Sequence, residues 1–515
     1  MKTFNQLIDS LSIKATARMT VIFGICFVSS FVQAANFLVI NTQSSGSGSL
    51  AAAIMDSEFN PGPDTINFDS SVFSSQQTIS LTKFQTITED LSINGPGKNL
   101  LTIETRNFND RELFHIDVGT VASHLRPDVE FNNLRLTMLS DSKVARVFFV
   151  RNANLTLSNV NLVGDEQTLE NQSGSAIAII AGNLTLTQCK VENFNAQFRG
   201  GAVFAEYTSN TQNAYAIKID QCAFVNNKVV GGKTGYPIDG GALYVISESP
   251  TNQVYVRIDN SEFSNNEAEG DGGAIAVNAI DLEINNSTLS GNQASVSGGA
   301  IWFNNSTPQF GHILYITGST ITQNHSAIYG GGVMTYDFNQ PIILSSSVVA
   351  ANTAPHDPEI AFGDITVSYS LIGDNMGDSN NVNLTEHRSA IGTVLRDTNP
   401  MLFPLSDNGG LTRTHAIQTG SPLLDAGNDT PYPNSPNFVA PDFDQRGIGY
   451  ARTHGAKPDI GAFEFKATAS CNNCGGKNDE SGGGTIFLLL LPMAIIFLSN
   501  YRLAKAHENV KGVNS

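Results

Sequence analysis

The residues of this chain that could do chemistry are carboxylates gathered in one turn. Glu267, Glu269 and Asp271 lie together in the segment EAEGDGG. Their hard oxygens are suitable ligands for Ca²⁺, but the same residues are typical of a solvated acidic turn in a protein with a formal net charge of −18. Three more aspartates lie near turns without further pattern: Asp239, Asp374 and Asp378. The sequence favours the solvated turn, and we predict no metal site.

The other residue types that often catalyse reactions are scattered along the chain. Histidines fall singly in different segments: His312, His325, His356, His387, His415 and His454. Neither an HExxH metal motif nor a GxSxG nucleophile turn occurs. Trp302, Phe303 and Tyr329 could form a platform for a sugar ring, although aromatic stacking inside the repeats is the favoured interpretation. We therefore predict no catalytic residue and no cofactor.

Four cysteines remain once Cys26 is excluded as part of an N-terminal leader. Cys471 and Cys474 form a CxxC that lacks the βαβ context of a redox motif and the further ligands of a zinc site, so a disulfide loop is favoured. Cys189 and Cys222 occupy one position in successive repeats, where stacked residues lie about 4.8 Å apart. The sequence leaves open whether they form a disulfide or only stack.

Repetition between residues 180 and 350 determines the fold prediction. Six segments align, each opening with alternating apolar residues: LTLTQCKVENF from Leu184, IKIDQCAFVNN from Ile217, VRIDNSEFSNN from Val256, LEINNSTLSGN from Leu282, LYITGSTITQN from Leu314 and IILSSSVVAAN from Ile342. Period-2 alternation indicates half-buried strands. Small residues share one column: Cys189, Cys222, Ser261, Ser287, Ser319 and Ser347. An asparagine closes most units: Asn227, Asn266, Asn292, Asn324 and Asn352.

Glycine pairs open a second strand in most repeats. They begin GGAVF at Gly200, GGALY at Gly240, GGAIA at Gly272, GGAIW at Gly298 and GGVMT at Gly331. Asn and Gly tolerate left-handed backbone angles, so both columns indicate sharp corners between short strands. Stacked repeats of this kind predict an all-β fold, a right-handed parallel β-helix, in preference to a β-propeller.

Both ends of the chain carry export signals. Lys2, Lys14 and Arg18 precede the apolar run 21–32, and Ala34 and Ala35 follow it, which predicts a secretory signal cleaved after Ala34. Near the other end, an apolar stretch is flanked by acidic residues before it and basic residues after it, which predicts a membrane helix with a cytoplasmic tail. The strongly acidic composition argues against nucleic acid as a partner.

These features divide the chain into seven predicted segments. They are a signal peptide at 1–34, an N-terminal cap with the first coils at 35–90, β-helix repeats at 91–398, a C-terminal cap at 399–466, a Cys/Gly-rich linker at 467–484, a transmembrane helix at 485–503 and a basic cytoplasmic tail at 504–515.

Three stretches resemble known families. Ser45 to Asp69 resembles the GSLR opening of secreted bacterial β-helix proteins, with Ala51 where arginine is usual. Four motifs between Asn399 and Glu464 resemble the choice-of-anchor Q domain: Asn408-Gly409-Gly410, Gly420-Ser421-Pro422, Asp444-Gln445-Arg446-Gly447 and Asp459-Ile460-Gly461. In that segment we expect Arg446 to pair with Asp459 or Asp425.

The tail resembles the GlyGly-CTERM sorting signal. Ser481, Gly482, Gly483 and Gly484 precede the apolar helix, and the combination with a β-helix is similar to the rhombotarget A family. The resemblance implies general and type II export, a transient stay in the inner membrane, cleavage at this region by a rhomboid-like sorting protease, and release to the cell surface or medium. A permanent single-pass anchor is the alternative. Weak helix propensity of glycine suits such a cleavage site.

The function predicted from these features is adhesive or structural. Elongated solenoids offer broad side faces for a surface glycan or a host ligand. The alternative is a polysaccharide lyase or glycoside hydrolase, although the motifs of polygalacturonase-type enzymes are absent. An enzyme would need carboxylates and arginines converging on one groove, whereas an adhesin needs only a flat polar or aromatic strip.

Overall fold

The computed structural model describes residues 34–466 apart from 107–110, 120–125, 140–145, 167, 170–172, 208–215, 232–237, 249–253, 306–310, 337–339, 374–389, 397 and 429–440. Several predicted features lie outside the described residues: most of the signal peptide, Asp374, Asp378, His387, Cys471, Cys474, the region Ser481 to Gly484, the transmembrane helix and the tail. Within the described part of the chain, no helix is long and apolar enough to cross a membrane.

Short parallel strands wind into a solenoid, and most turns contribute strands to two or three sheets. The ten-stranded sheet takes one strand from each of ten turns: β4 (Gln85–Ile87), β7 (Glu112–Asp117), β10 (Arg146–Arg151), β14 (Ile177–Ile180), β18 (Val203–Tyr207), β22 (Leu243–Ser247), β26 (Ile275–Asn278), β30 (Ile301–Asn304), β34 (Val333–Thr335) and β37 (Ile360–Ala361). The predicted parallel β-helix is therefore confirmed.

The long sheet of 23 strands has two columns. The first column comprises β1 (Asn36–Val39), β2 (Asp64–Phe68), β5 (Leu91–Asn94), β8 (Asp128–Asn132), β11 (Asn154–Ser158), β15 (Leu184–Thr187), β19 (Ile217–Asp220), β23 (Tyr255–Asp259), β27 (Asp281–Asn285), β31 (Leu314–Thr317), β35 (Pro341–Ser345), β38 (Asp364–Ile372) and β39 (Ala390–Arg396). The second column comprises β3 (Gln77–Leu81), β6 (Leu101–Thr105), β9 (Arg135–Thr137), β12 (Asn161–Val163), β16 (Lys190–Glu192), β20 (Ala223–Val225), β24 (Glu262–Ser264), β28 (Thr288–Ser290), β32 (Thr320–Thr322) and β36 (Val348–Ala350).

A six-stranded sheet of two-residue strands completes the central turns: β13 (Thr168–Leu169), β17 (Asn195–Ala196), β21 (Lys228–Val229), β25 (Glu267–Ala268), β29 (Gln293–Ala294) and β33 (His325–Ser326). Alternate side chains of the sheets point inward and form one continuous apolar core. The six repeat openings predicted from the sequence pair in register, from Leu184 through Ile217, Val256, Leu282 and Leu314 to Ile342.

The asparagine column forms a buried amide ladder. Each side-chain Nδ2 donates to the Oδ1 of the next turn, at 3.0 Å from Asn227 to Asn266 and 2.9 Å from Asn292 to Asn324. Asn352 ends the ladder by donating to Glu359 at 2.6 Å. Left-handed backbone angles occur one residue earlier, as at Asn226 (φ 55°). The sequence identified the asparagine column correctly. It placed the left-handed corner at the ladder asparagine itself, whereas the structure places it at the preceding residue.

The small-residue column is a second buried ladder. Backbone N–H groups donate to the hydroxyl of the next turn, at 3.0 Å from Ser261 to Ser287 and 3.1 Å from Ser287 to Ser319. The two glycines of each pair have different roles. Gly272 has a positive φ of 68°, whereas a Cβ at Gly273 would lie 2.2 Å from the Gly299 carbonyl oxygen. Close backbone stacking therefore requires glycine at the second position.

A short helix packs at the start of the solenoid. Helix α1 (Leu50–Ser57) begins at Ser49, whose hydroxyl accepts from the Ala52 N–H at 3.2 Å. It buries Leu50, Ala53 and Ile54 against the first turns. The helix is amphipathic, and Met55 lies on its exposed face.

Residues 398–428 and 441–466 lie along the side of the solenoid. They cover the outward face of β24, β28, β32 and β36, and a second apolar core forms there with Val348, Leu371, Leu423 and Ile460. His415 Nε2 lies 2.8 Å from Ser290 Oγ, and the Arg413 Nε donates to buried Glu262 at 2.9 Å. The segment predicted as an end cap is therefore also a lateral cover.

Arg446 does not pair as expected. Its guanidinium binds Asp444, with Nε 3.0 Å from Oδ2, and lies over the rings of Phe463 and Tyr450. Asp459 instead accepts backbone N–H groups from Asp425 and Phe465. The predicted pairing of Arg446 with Asp459 or Asp425 was wrong, because Asp444, two residues before Arg446, binds the guanidinium instead.

Candidate functional site

One outward column of the ten-stranded sheet is rich in aromatic residues. Strand register stacks the following residues from turn to turn: Thr86, His115, Phe149, Ala178, Phe204, Tyr244, Ala276, Trp302, Met334 and Ala361. We call this set the aromatic column. It faces outward because its neighbours in each strand, such as Phe148 and Phe303, are fully buried in the core.

Rings in the aromatic column pack face to face. His115 and Phe149 stack with centroids 5.4 Å apart, and Phe204 and Tyr244 stack at 6.1 Å with an interplanar angle of 17°. Phe149, Phe204 and Trp302 are partly exposed, whereas Tyr244 is buried. The column therefore presents ring surface to solvent on several turns of one face.

Cations lie beside Phe149 on this face. The guanidinium carbons of Arg146 and Arg151 are 5.5 and 6.0 Å from its ring centroid. Arg151 also pairs with Asp117. Burial would raise the pKa of Asp117, but the hydrogen bond and charge of Arg151 outweigh it and hold that pKa below its usual value.

Carboxylates and an arginine gather beside Tyr244. The Arg199 guanidinium lies 5.0 Å from the Tyr244 ring centroid. Asp239 and Asp271 stack in successive turns at the adjacent corner, where Asp239 Oδ1 accepts the Asp271 N–H at 2.9 Å and Asp271 Oδ1 accepts the Ser297 N–H at 2.8 Å. Burial raises the pKa of Asp239, and burial together with the Asp239 charge raises the pKa of Asp271 to about 7.

A second carboxylate pair lies on the other side of the aromatic column. Glu206 is two residues after Phe204 and interacts with Glu248 of the next turn. Burial, and then the charge and hydrogen bond of Glu248, raise the pKa of Glu206. Burial also raises the pKa of Tyr244 to about 12, so its phenol stays protonated.

This arrangement combines flat ring surface with hydrogen-bonding groups on both flanks. Aromatic surface with a few placed polar groups is the usual composition of a small-molecule binding site. Among the described residues, Arg199, Asp239 and Glu206 are the charged groups that act on Tyr244. Asp271 lies beside Asp239 and Glu248 beside Glu206, so carboxylates outnumber cations on this part of the face. Such a surface suits neutral or amino sugars better than acidic ones.

The carboxylates grouped by sequence separate in the structure. Glu267 pairs with Lys228 at 2.9 Å and lines a polar groove of about 520 Å³ on the six-stranded side. Glu269 accepts the Gly231 N–H at 2.7 Å, and Asp271 joins Asp239. Among the described residues, no group of three His, Cys, Asp or Glu side chains is arranged to hold a metal ion.

The aromatic platform considered from sequence also divides. Trp302 lies in the aromatic column, Phe303 is buried in the core, and Tyr329 lies at a corner against His356 with ring centroids 5.0 Å apart. Only Trp302 of the three contributes to this face. Strand alternation sends neighbouring residues to opposite sides, so Trp302 and Phe303 cannot form one surface.

Cys189 and Cys222 stack in adjacent turns with both thiols free. The Cys189 N–H lies 3.3 Å from Cys222 Sγ, and the Cys222 N–H continues the small-residue ladder to Ser261 at 3.0 Å. Of the two arrangements that the sequence left open, the structure contains the unbonded stack. Burial raises the pKa of Cys222 well above its usual value.

A polar cleft of about 470 Å³ lies where the lateral cover ends against β16 and β20. Lys98, Lys190, Gln221 and Arg413 contribute to its lining. Lys190 pairs with Glu192 at 2.7 Å and Arg413 with Glu262, so much of this charge is compensated. None of the described residues that line this cleft is aromatic, in contrast to the aromatic column.

The aromatic column was visible in the sequence but was not recognised. It is the fifth letter of the segments that open with a glycine pair: Phe204 in GGAVF, Tyr244 in GGALY, Ala276 in GGAIA and Trp302 in GGAIW. Asp239 and Asp271 each precede such a pair. Comparing these columns across repeats, rather than grouping neighbours along the chain, would have identified the site.

Comparison with known proteins gives a family match within the repeats. Residues 260–278 and 286–304 match the Chlamydia polymorphic membrane protein repeat. The matched segments include Asp271, Ala276 and Trp302. No curated protein matches the chain.

Two solved structures are similar to this chain. Tailspike protein 3 of bacteriophage CBA120 has 12% sequence identity and a TM-score of 0.34, and the match covers 67% of this chain but 59% of the tailspike chain. The A-module of mannuronan C-5 epimerase AlgE6 from Azotobacter vinelandii has 9% identity and a TM-score of 0.29, covering 70% of this chain and 100% of the module. At these scores neither similarity carries an argument about function.

Proposed function

We propose that this chain is an exported surface protein that binds glycans on the outward face of its ten-stranded sheet. The observation that carries the proposal is the aromatic column, flanked by Arg199, Asp239 and Asp271 on one side and Glu206 on the other. The matched repeat belongs to proteins described as polymorphic membrane proteins, which supports a location at a membrane or cell surface.

The chemistry of sugars fits this face. Pyranose rings have flat C–H faces that pack on aromatic rings, and their hydroxyl groups bond to carboxylates and guanidinium groups at the edges. A saccharide chain running along the solenoid axis would meet Phe149, Phe204 and Trp302 in succession. The acidic flanks around Tyr244 favour neutral or amino sugars there.

A glycan array tests this proposal. The exported chain is applied in wild-type form and as Phe149→Ala, Phe204→Ala and Trp302→Ala, with Phe403→Ala as the matched control because Phe403 is exposed on the lateral cover. We expect the three column variants to lose about tenfold or more in affinity, since each removes a stacking contact. Equal binding by all four variants would exclude the aromatic column as the site.

Glycan cleavage is the second candidate function. The specific observation is that Asp239 and Asp271 stack beside Arg199, with the pKa of Asp271 raised to about 7. A carboxyl group that is protonated near neutral pH can act as a general acid, while a second carboxylate acts as base or nucleophile. Here the charged groups converge on one corner, as an enzyme would need.

Reducing-end release separates the two candidates. Glycans that bind on the array are incubated with wild type and with Asp271→Asn, which keeps the acceptor for Ser297 but cannot donate an acidic proton. An enzyme would release reducing ends and lose that activity in Asp271→Asn. A binding protein would release none, either as wild type or as Asp271→Asn.

Export and sorting complete the proposal. The leader, the glycine run Gly482 to Gly484 and the apolar tail support general and type II export, a transient stay in the inner membrane and cleavage by a rhomboid-like sorting protease. Ala35, the expected first residue after signal cleavage, already belongs to the solenoid, since its carbonyl accepts the Thr65 N–H of the second strand at 2.9 Å. The destination is then the cell surface or the medium.

A further inference from the structure

Asp64 is a buried carboxylate in an apolar position. It begins β2 on the same buried face as Ile66, and its register partner in the next turn is Leu91. Its relative exposure is 2%. A buried carboxylate at a position that is apolar in the next turn is costly unless a cation or several donors compensate it.

Only one of its two oxygens is compensated. Asp64 Oδ1 accepts the Ala35 N–H at 2.7 Å and the Asn60 side-chain amide at 2.8 Å. Asp64 Oδ2 is buried and has no hydrogen-bond partner in the part of the chain that the structure describes. Both donors at this site therefore bond to Oδ1, and no donor or cation among the described residues compensates Oδ2.

Ala35 is fixed beside this carboxylate by the sheet. Its carbonyl accepts the Thr65 N–H at 2.9 Å, and Asn36 then pairs with Thr65 in β1. In the uncut chain the Ala35 nitrogen is an amide with one hydrogen, which Oδ1 already uses. Nothing at this nitrogen can then serve Oδ2 or neutralise the charge.

We propose that Asp64 is the receptor for the α-ammonium group that signal cleavage creates at Ala35. Hydrolysis of the Ala34–Ala35 peptide bond adds one water, leaving a carboxylate on Ala34 and an amine on Ala35 that takes up a proton. The resulting ammonium has three hydrogens and a positive charge at 2.7 Å from Asp64 Oδ1. The ammonium supplies the missing donor for Oδ2, so that the carboxylate and the ammonium form a buried ion pair.

The ion pair links processing to the stability of the first turn. In the uncut chain β1 already pairs with β2 while one oxygen of Asp64 lacks a partner among the described residues, whereas in the cut chain the ammonium group compensates that carboxylate. This inference rests on the proposed export, because only an exported chain meets a signal peptidase. It assigns the mature N-terminus to one residue and gives Asp64 a role beyond packing.

Two N-terminal forms of the chain from Ala35 to Ser515 test the proposal in detergent. One has a free α-amino group, released from a removable N-terminal fusion. The other is acetylated at Ala35 by co-expression with an N-terminal acetyltransferase, which restores the single amide hydrogen of the uncut chain. Each form is prepared as wild type, as Asp64→Asn and as Asp56→Asn, the last being a control at an exposed carboxylate of α1.

We expect wild-type protein with the free amine to have a higher Tm than the acetylated wild type. Asp64→Asn should abolish that difference in Tm, and Asp56→Asn should preserve it. Equal Tm values for the two wild-type forms, or a difference that survives in Asp64→Asn, would overturn the ion pair. N-terminal sequencing of the protein from its host tests export separately, because a start other than Ala35 would overturn the assigned cleavage while leaving glycan binding open.

Discussion

At the scale of single residues, each asparagine of the buried ladder makes several hydrogen bonds with its side chain. Asn324 accepts from Asn292 and donates to the Leu289 carbonyl and to Asn352. A buried amide of this kind contributes little net energy when paired, but its loss leaves several groups without partners. The ladder is therefore more important for keeping the turns in register than its bond count suggests.

Asn324→Ala should lower the free energy of unfolding by about 2–4 kcal/mol, because it leaves the Asn292 amide and the Leu289 carbonyl buried without hydrogen-bond partners. Urea or guanidinium denaturation followed by circular dichroism measures this change. Gln293→Ala is the control, because Gln293 lies on the exposed side of a neighbouring turn. A loss below about 0.5 kcal/mol in Asn324→Ala would contradict the assigned role.

Asp271 predicts a pH dependence of stability. Its folded-state pKa is raised to about 7 from 3.8 by burial and by Asp239. The folded protein therefore holds this proton more tightly than the unfolded chain, and stability falls as pH rises from about 4 through 7. Asp271→Asn should flatten the pH profile of the Tm in this window and leave the variant relatively more stable at pH 8.

The control for that profile is Asp56→Asn, which changes an exposed carboxylate. Glu464 and Asp357, with pKa values raised to about 7 and about 6 mainly by burial, add to the wild-type slope and remain in both variants. A slope in Asp271→Asn as steep as that of the wild type would show that Asp271 titrates normally.

At the scale of elements, the lateral cover stabilises four turns at once. Its apolar residues close the second core, and Leu423 is fully buried there. Without this cover, the outward faces of β24, β28, β32 and β36 would expose polar and apolar groups that are now buried, including Glu262 and Val348. The lateral cover therefore protects the side of the solenoid that these four strands form.

Leu423→Ala should destabilise the protein by about 2–5 kcal/mol, because it leaves a cavity in the second core. Hydrogen exchange should then increase at β32 and β36, which pack against the cover, more than at β5 and β8 in the first turns of the solenoid. Ile448→Ala is the control, since that side chain is 88% exposed. Uniform exchange changes along the solenoid would contradict a local role for the cover.

The sequence predicted these elements unevenly, and the reasons are physical. Period-2 alternation and stacked small residues determine register, so the openings from Leu184 to Ile342 were predicted correctly. The aromatic column was missed because its members are separated by whole turns, and only stacking brings Phe204 next to Tyr244. Lateral packing of the cover was missed because contacts such as Arg413 with Glu262 join distant segments.

At the scale of the whole molecule, we propose an exported solenoid with one glycan-binding face and with both ends removed by proteases. The formal net charge of −18 makes the whole chain acidic, as is the part of the aromatic column around Tyr244. The N-terminal and C-terminal proposals are independent of each other, since one depends on Asp64 and the other on the glycine run.

The C-terminal proposal predicts the mass of the mature protein. Intact mass spectrometry of membrane, surface and medium fractions should give a chain ending within Ser481 to Thr485 in the native host. The same measurement in a strain without rhomboid-like proteases should give the full tail. A tail retained in both strains would contradict sorting and indicate a permanent anchor.

Fluorescence of Trp302, the single tryptophan of the chain, tests glycan binding at the aromatic column. Its emission is recorded while cellohexaose, chitohexaose and the best-binding glycan of the array are added, with acrylamide quenching measured at saturation. If the aromatic column binds glycans, a bound sugar should shift the emission saturably and protect the indole from acrylamide. A glycan that binds by calorimetry but leaves both the emission and the quenching of Trp302 unchanged would contradict the account.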